Sequence, residues 1–109
     1  RIEEVIFPLD PSFAQYELAK KQMLGACGLI TIVMKAETRD EIVTFCEKLR
    51  HILMAVSWGG HESLAIPKCA SLYPHQFDPG NREHKMIRLY VGLEDPEYLI
   101  SDLSQALES

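Results

Sequence analysis

The stretch HKMIRLYVGL, residues 84–93, alternates so regularly that it reads as a strand with two different faces. Side chains along a strand point to opposite sides in turn, so Ile87, Leu89 and Val91 share one face and Met86, Arg88 and Tyr90 the other. The first face asks for a cover of helices. The second carries a guanidinium between two large side chains, where an unpaired buried charge would be very costly. Arg88 therefore expects an anion, either an acidic residue of the protein or a bound carboxylate.

Working outward, LITIVM (29–34) offers Leu29, Thr31 and Val33 on one face and Ile30, Ile32 and Met34 on the other. HILMAVS (51–57) sets Ile52, Met54 and Val56 against Leu53, Ala55 and Ser57 and reads as a second buried strand. Strands apolar on both faces need cover on both sides. Ile2 to Phe7 predicts a further strand, ended by Pro8. Asp10-Pro11 supplies an N-cap and a first-turn proline for a helix carrying Phe13 to about Met23. Thr38-x-x-Glu41 is a capping box for a helix over 39–50 that turns Ile42, Phe45, Cys46 and Leu49 inward. Asp95-Pro96 opens a last helix with Leu99, Ile100, Leu103, Ala106 and Leu107 inward. Residues 65–83, with Pro67, Pro74 and Pro79-Gly80, read as a long connection. The order strand-helix-strand-helix-strand-strand-helix predicts an α/β sandwich: a largely antiparallel sheet with helices on one face. A second domain or another subunit must then cover the other face.

The 109 residues suffice for one domain. Net charge is −5 and the eleven basic residues are scattered, so the basic footprint that nucleic acid requires is missing. No apolar run approaches the roughly 18 to 20 residues of a membrane span, and RIEEVIFPLD lacks the apolar core of a signal peptide. Cys27, Cys46 and Cys69 are odd in number and form no CxxC pair, which fits reduced thiols in the cytoplasm. His51, His61, His75 and His84 have no ligand spacing, so no metal is expected. Beginning at Arg1 and running straight into a strand, the sequence reads as a piece of a longer chain.

Ser57-Trp58-Gly59-Gly60 interrupts the second apolar strand with a hydroxyl, an indole and two glycines. Glycine permits backbone shapes closed to other residues and lets a ligand approach the main chain. With Arg88 nearby, the Ser57 hydroxyl and the Trp58 amide would frame a site for one small carboxylate. A glycine turn capped by Trp58 for packing alone fits the spacing as well. Glu62 would orient the loop or pair with a cation, and structural pairing is its plainer role.

AVSWGGHESL (55–64) followed by MIRLYVGLEDPEYLISDLSQAL (86–107) resembles the C-terminal domain of the pyridoxal-phosphate enzymes of cysteine and methionine metabolism. That transsulfuration family holds cystathionine β-lyase, cystathionine γ-synthase and γ-lyase, and methionine γ-lyase. The likeness covers essentially the whole chain and rests on S-[LW]-G-G-x-E-S-L and R-L-x-V-G-L-E-D in order. It implies the small C-terminal domain of an aspartate-aminotransferase-type enzyme, with residues 1–109 as that domain. Arg88 would bind the α-carboxylate of the amino-acid substrate, assisted by Ser57 and the Trp58 amide, with Gly59, Gly60 and Glu62 supporting the loop. Pyridoxal phosphate, the electron sink for cleavage of a C–S bond, would sit on a large domain of the same chain. No catalytic residue is expected here, and Lys20, Lys21, Lys35, Lys48, Lys68 and Lys85 match no Schiff-base motif. The resemblance further implies a homo-oligomer, a homotetramer in the family. Val56 stands where γ-synthase and γ-lyase members often carry glutamate, and Trp58 resembles β-lyases. The two lean the subclass toward β-lyase, with methionine γ-lyase close behind. Tyr90 replaces a usual serine, and segment 70–85 departs most from the family. The competing readings are a freestanding ferredoxin-like regulatory module that binds an amino acid, and a purely structural fragment.

Overall fold

The computed structural model describes residues 1–108. Five strands, β1 (Ile2–Ile6), β2 (Leu29–Met34), β3 (Leu53–Met54), β4 (Leu64–Pro67) and β5 (Met86–Tyr90), form one sheet in the order β1-β2-β5-β4-β3. All pairings are antiparallel except the parallel one between β3 and β4. The strand that carries Arg88 is thus the middle of the sheet. Arg88 lies between Thr31 and Ile66, and its neighbour Ile87 lies between Ile32 and Pro67.

Helices α2 (Arg39–Glu47) and α3 (Pro96–Glu108) cover the Ile87 face. Ile42, Phe45 and Cys46 of α2 and Leu99 and Ala106 of α3 pack with Ile32, Met34, Ala65, Ile87 and Leu89 in one core. Cys46 shows how dry that core is: burial, with Cys69 and Glu47 nearby, pushes its thiol pKa up to about 12. Helix α1 (Tyr16–Gln22) gives the cluster no residue. Its late start has a local cause. The Asp10 carboxylate accepts from the Ser12 amide (2.9 Å) and hydroxyl (2.7 Å), closing a turn of its own instead of capping a helix.

The capping of α2 is split. Thr38 Oγ1 accepts from the Glu41 amide at 3.3 Å, but the Glu41 carboxylate reaches back one residue further, to the Glu37 amide at 2.9 Å. At α3 the expected start holds, with Asp95 Oδ1 accepting from the Glu97 amide at 2.8 Å. Its inward set differs from expectation: Ile100 is 53 % exposed, and Asp102, 2 % exposed, points inward instead.

Asp102 explains why the stretch 51–57 is not a buried strand. Its carboxylate accepts from the backbone amides of Arg50 (2.8 Å), His51 (2.8 Å) and Ile52 (2.9 Å), so those residues wrap a side chain and cannot join a ladder. Ile52 alone of the stretch enters the core. Leu53 and Met54 then form an edge strand, 51 % and 48 % exposed, with no strand beyond it. Within the supposed connection 65–83, Leu64–Pro67 is β4, filling the sheet between β3 and β5. Pro67 takes the last position of that strand, past the two residues that β3 pairs with. Val91 falls past the end of β5 and is 37 % exposed rather than packed under the helices.

Candidate functional site

On the face away from α2 and α3, the sheet forms the floor of a pocket of about 570 Å³. Thr31, Ile66, Met86 and Arg88 line it from β2, β4 and β5, and Val56 and Lys68 from the segments that follow β3 and β4. Arg88, half-buried, donates a hydrogen bond from Nη2 to the Val56 carbonyl. Two residues along the same face, the Tyr90 hydroxyl donates to the Gly60 carbonyl at 2.9 Å. The middle strand therefore grips the turn at both ends. Between the grips, Gly59 has φ +90°, a backbone shape that favours glycine.

The structure brings Arg88 and Val56 together in one pocket. Ser57 and Trp58 follow Val56 directly but stand exposed and do not line it. Among the described residues no carboxylate pairs with Arg88, so the internal salt bridge weighed above is not formed. Glu62 lies 3.3 Å from His61 Nε2, a structural contact within its own loop.

Two residues that sequence reasoning did not single out hold this corner together. Ser63, 1 % exposed, donates its amide to Glu94 Oε2 at 2.9 Å and its hydroxyl to Oε1 at 2.7 Å. The Gly92 amide donates to the same serine oxygen at 2.8 Å. The Ser63 amide, opposed by partial burial and helped by the Ser63 hydroxyl, holds the Glu94 carboxyl below its usual pKa. The pairing of E-S-L with G-L-E-D in one sequence was the available signal, since the serine of one motif binds the glutamate of the other. Ser63→Ala is expected to cost about 1–3 kcal/mol, because it strips a hydroxyl partner from Glu94 and from the Gly92 amide. Urea denaturation checks this. Gly92→Ala is expected to be at least as damaging. A Cβ there would run into the His61 carbonyl and the Glu62 backbone, which are fixed parts of the facing loop. Its melting point relative to wild type is the measure.

The lysines occupy surface or half-buried positions, Lys20 paired with Glu17 at 3.3 Å and Lys85 with Glu3 at 3.1 Å. No arrangement on these 108 residues offers a buried lysine amine to an aldehyde cofactor.

The profile of the family described as "Cys/Met metabolism PLP-dependent enzyme" matches residues 1–108. The chain belongs to this family. Human cystathionine γ-lyase is 40 % identical over 112 residues, covering 99 % of this chain and 27 % of the relative. Cystathionine γ-lyase of Dictyostelium discoideum is 36 % identical over 114 residues, 99 % of this chain and 29 % of the relative. The L-alanine/L-glutamate racemase of Wolbachia pipientis wMel is 33 % identical over 108 residues, 98 % and 27 %. The chain thus spans little more than a quarter of the length of these curated relatives. Family membership displaces the freestanding regulatory module. The lean toward β-lyase drawn from Val56 and Trp58 finds no namesake among these three relatives, two of which are γ-lyases by name. Among the described residues no helix is long and apolar enough to cross a membrane.

Proposed function

We propose that this chain is the C-terminal, substrate-carboxylate-binding domain of a pyridoxal-phosphate-dependent C–S lyase or transsulfuration enzyme acting on sulfur amino acids such as cystathionine or methionine. The observation that carries the reading is Arg88 at the centre of the sheet's free face, in a pocket with Val56 and without an internal carboxylate partner. Such a guanidinium can grip a carboxylate with two parallel hydrogen bonds. Arg88 would turn from the Val56 carbonyl to the incoming carboxylate, and the Ser57 hydroxyl and the Trp58 amide, which lie outside the pocket here, would assist once the loop turns them inward. Gly59, Gly60 and Glu62 shape the loop that presents them.

A larger domain of the same protein would hold pyridoxal phosphate. Bound there, the cofactor would supply the electron sink and this domain would supply orientation: fixing the carboxylate selects which bond at Cα is presented for reaction. The sheet face around the pocket would be covered by that larger domain and by other copies in a homo-oligomer. Three free cysteines, two of them buried, favour a reducing, cytoplasmic setting.

Val56 bears on the subclass. It lines the pocket beside Arg88 and is 74 % exposed, so an aliphatic group is offered where a carboxylate would attract a substrate ammonium. The lean toward β-elimination rests on the resemblance of Val56 and Trp58 to the β-lyases. The test is thiol and keto-acid release by the full-length protein from cystathionine, cysteine and methionine. Turnover of at least one is the expected result. Cofactor binding with no C–S cleavage, and racemisation of an unsubstituted amino acid in its place, would reject the proposal.

A further inference from the structure

The pocket contains a second cation to which the carboxylate-binding role of Arg88 gives nothing to do. Lys68 lines it together with Arg88, and the lining holds no aspartate or glutamate. This is unusual for a protein with sixteen acidic residues against eleven basic ones. The register shows how the two come together. Ile66 of β4 pairs with Arg88, and Lys68 opens the 3-10 turn that follows the strand, at the wall of the same pocket. Its backbone is fixed, since the Ser71 hydroxyl donates to the Lys68 carbonyl at 3.2 Å. Neither cation has an ion-pair partner among the described residues. A ligand with two anionic groups would pair with both cations at once, one group at each.

We propose that Lys68 is a second anion anchor, which selects ligands carrying two negative groups, above all amino acids with a distal carboxylate. The inference rests on the reading of Arg88 as the α-carboxylate site and adds to it the class of the other end of the ligand. A pocket of about 570 Å³ is far larger than one carboxylate needs and suits a small molecule spanning both anchors. Its remaining walls, Val56, Ile66 and Met86, are apolar and match a methylene or thioether chain between the two charged ends.

Equilibrium binding of glutarate and of butyrate to the full-length protein tests this, with one carboxylate as the control for two. Wild type is expected to bind glutarate about fivefold more tightly than butyrate, the upper end for a partly solvated ion pair. That preference should shrink as salt is added. Lys68→Gln, at an exposed position, should abolish the preference while leaving butyrate binding unchanged. Equal affinities in wild type, or a preference that survives Lys68→Gln, would overturn the proposal. Arg88→Ala should weaken both probes. If it leaves butyrate untouched, the α-carboxylate reading fails, while the Lys68→Gln comparison still decides whether a second anchor exists.

Discussion

Arg88→Ala in the full-length enzyme is expected to lower kcat/KM toward amino-acid substrates by roughly thirtyfold to several thousandfold. Removing one member of a desolvated charge pair costs about 2–5 kcal/mol, and that range follows directly. The melting point and cofactor absorbance should change little, because Arg88 bridges no acidic residue of the fold and its one hydrogen bond goes to the Val56 carbonyl. Arg88→Lys should recover little, since an ammonium cannot reproduce a two-pronged contact. Part of the loss should appear in KM through the turn itself: with the grip on Val56 gone, of the two grips from β5 the one from Tyr90 to Gly60 remains. Kinetics and melting measured on one preparation separate this outcome from a structural one, in which activity per folded molecule stays normal.

Asp102→Ala should be the most destabilising single change outside the apolar core. Three backbone amides and the side chain of Gln105 converge on that carboxylate, and its removal leaves buried donors without an acceptor. At about 1–3 kcal/mol for such a group, and allowing for relaxation, a total of roughly 3–5 kcal/mol is expected by chemical denaturation. Asp102→Asn should help little, because its amide would turn a donor toward donors. The pH dependence follows from the same contacts. Burial acts to raise the Asp102 pKa, but hydrogen bonds from Arg50, Ile52, His51 and Gln105 outweigh it and hold the carboxyl below the ordinary value of 3.8. The unfolded state therefore takes up the proton first as pH falls. The stabilisation is complete above the ordinary aspartate range and is lost as pH drops through the lower folded value. The alanine variant should lack that part of the acid limb. An unchanged acid transition in Asp102→Ala would refute this assignment.

What the sequence made legible follows burial periodicity closely. The alternation over 86–90 identified the middle strand and both its faces, and Ile42, Phe45 and Cys46 identified the buried side of α2. Errors arose where a side chain takes over the backbone. Asp10 binds a neighbouring amide and Asp102 binds amides some fifty residues away, and each displaced an element, α1 in one case and β3 in the other. A carboxylate inside an amphipathic helix reads as a solvent-facing residue until the loop it binds is known. The strand β4 was hidden for a different reason: it has only four residues, closes on Pro67, and runs into a proline-rich segment. In the site, Arg88 was legible because a cation on an otherwise apolar alternating strand is costly without a purpose. Ser63 and Glu94 were not, since their meaning lies in a contact across 31 positions of sequence. Lys68 was set aside because no Schiff-base motif surrounds it, which is a different question from whether it binds an anion.

The most direct test is a crystal structure of the full-length enzyme with an unreactive amino-acid substrate analogue bound. The account predicts the analogue's α-carboxylate at about 3 Å from the Arg88 guanidinium, in the pocket beside Val56 and Met86, with the Arg88 bond to the Val56 carbonyl released or shared. A carboxylate held entirely by residues outside this chain, with Arg88 still on Val56, would contradict it.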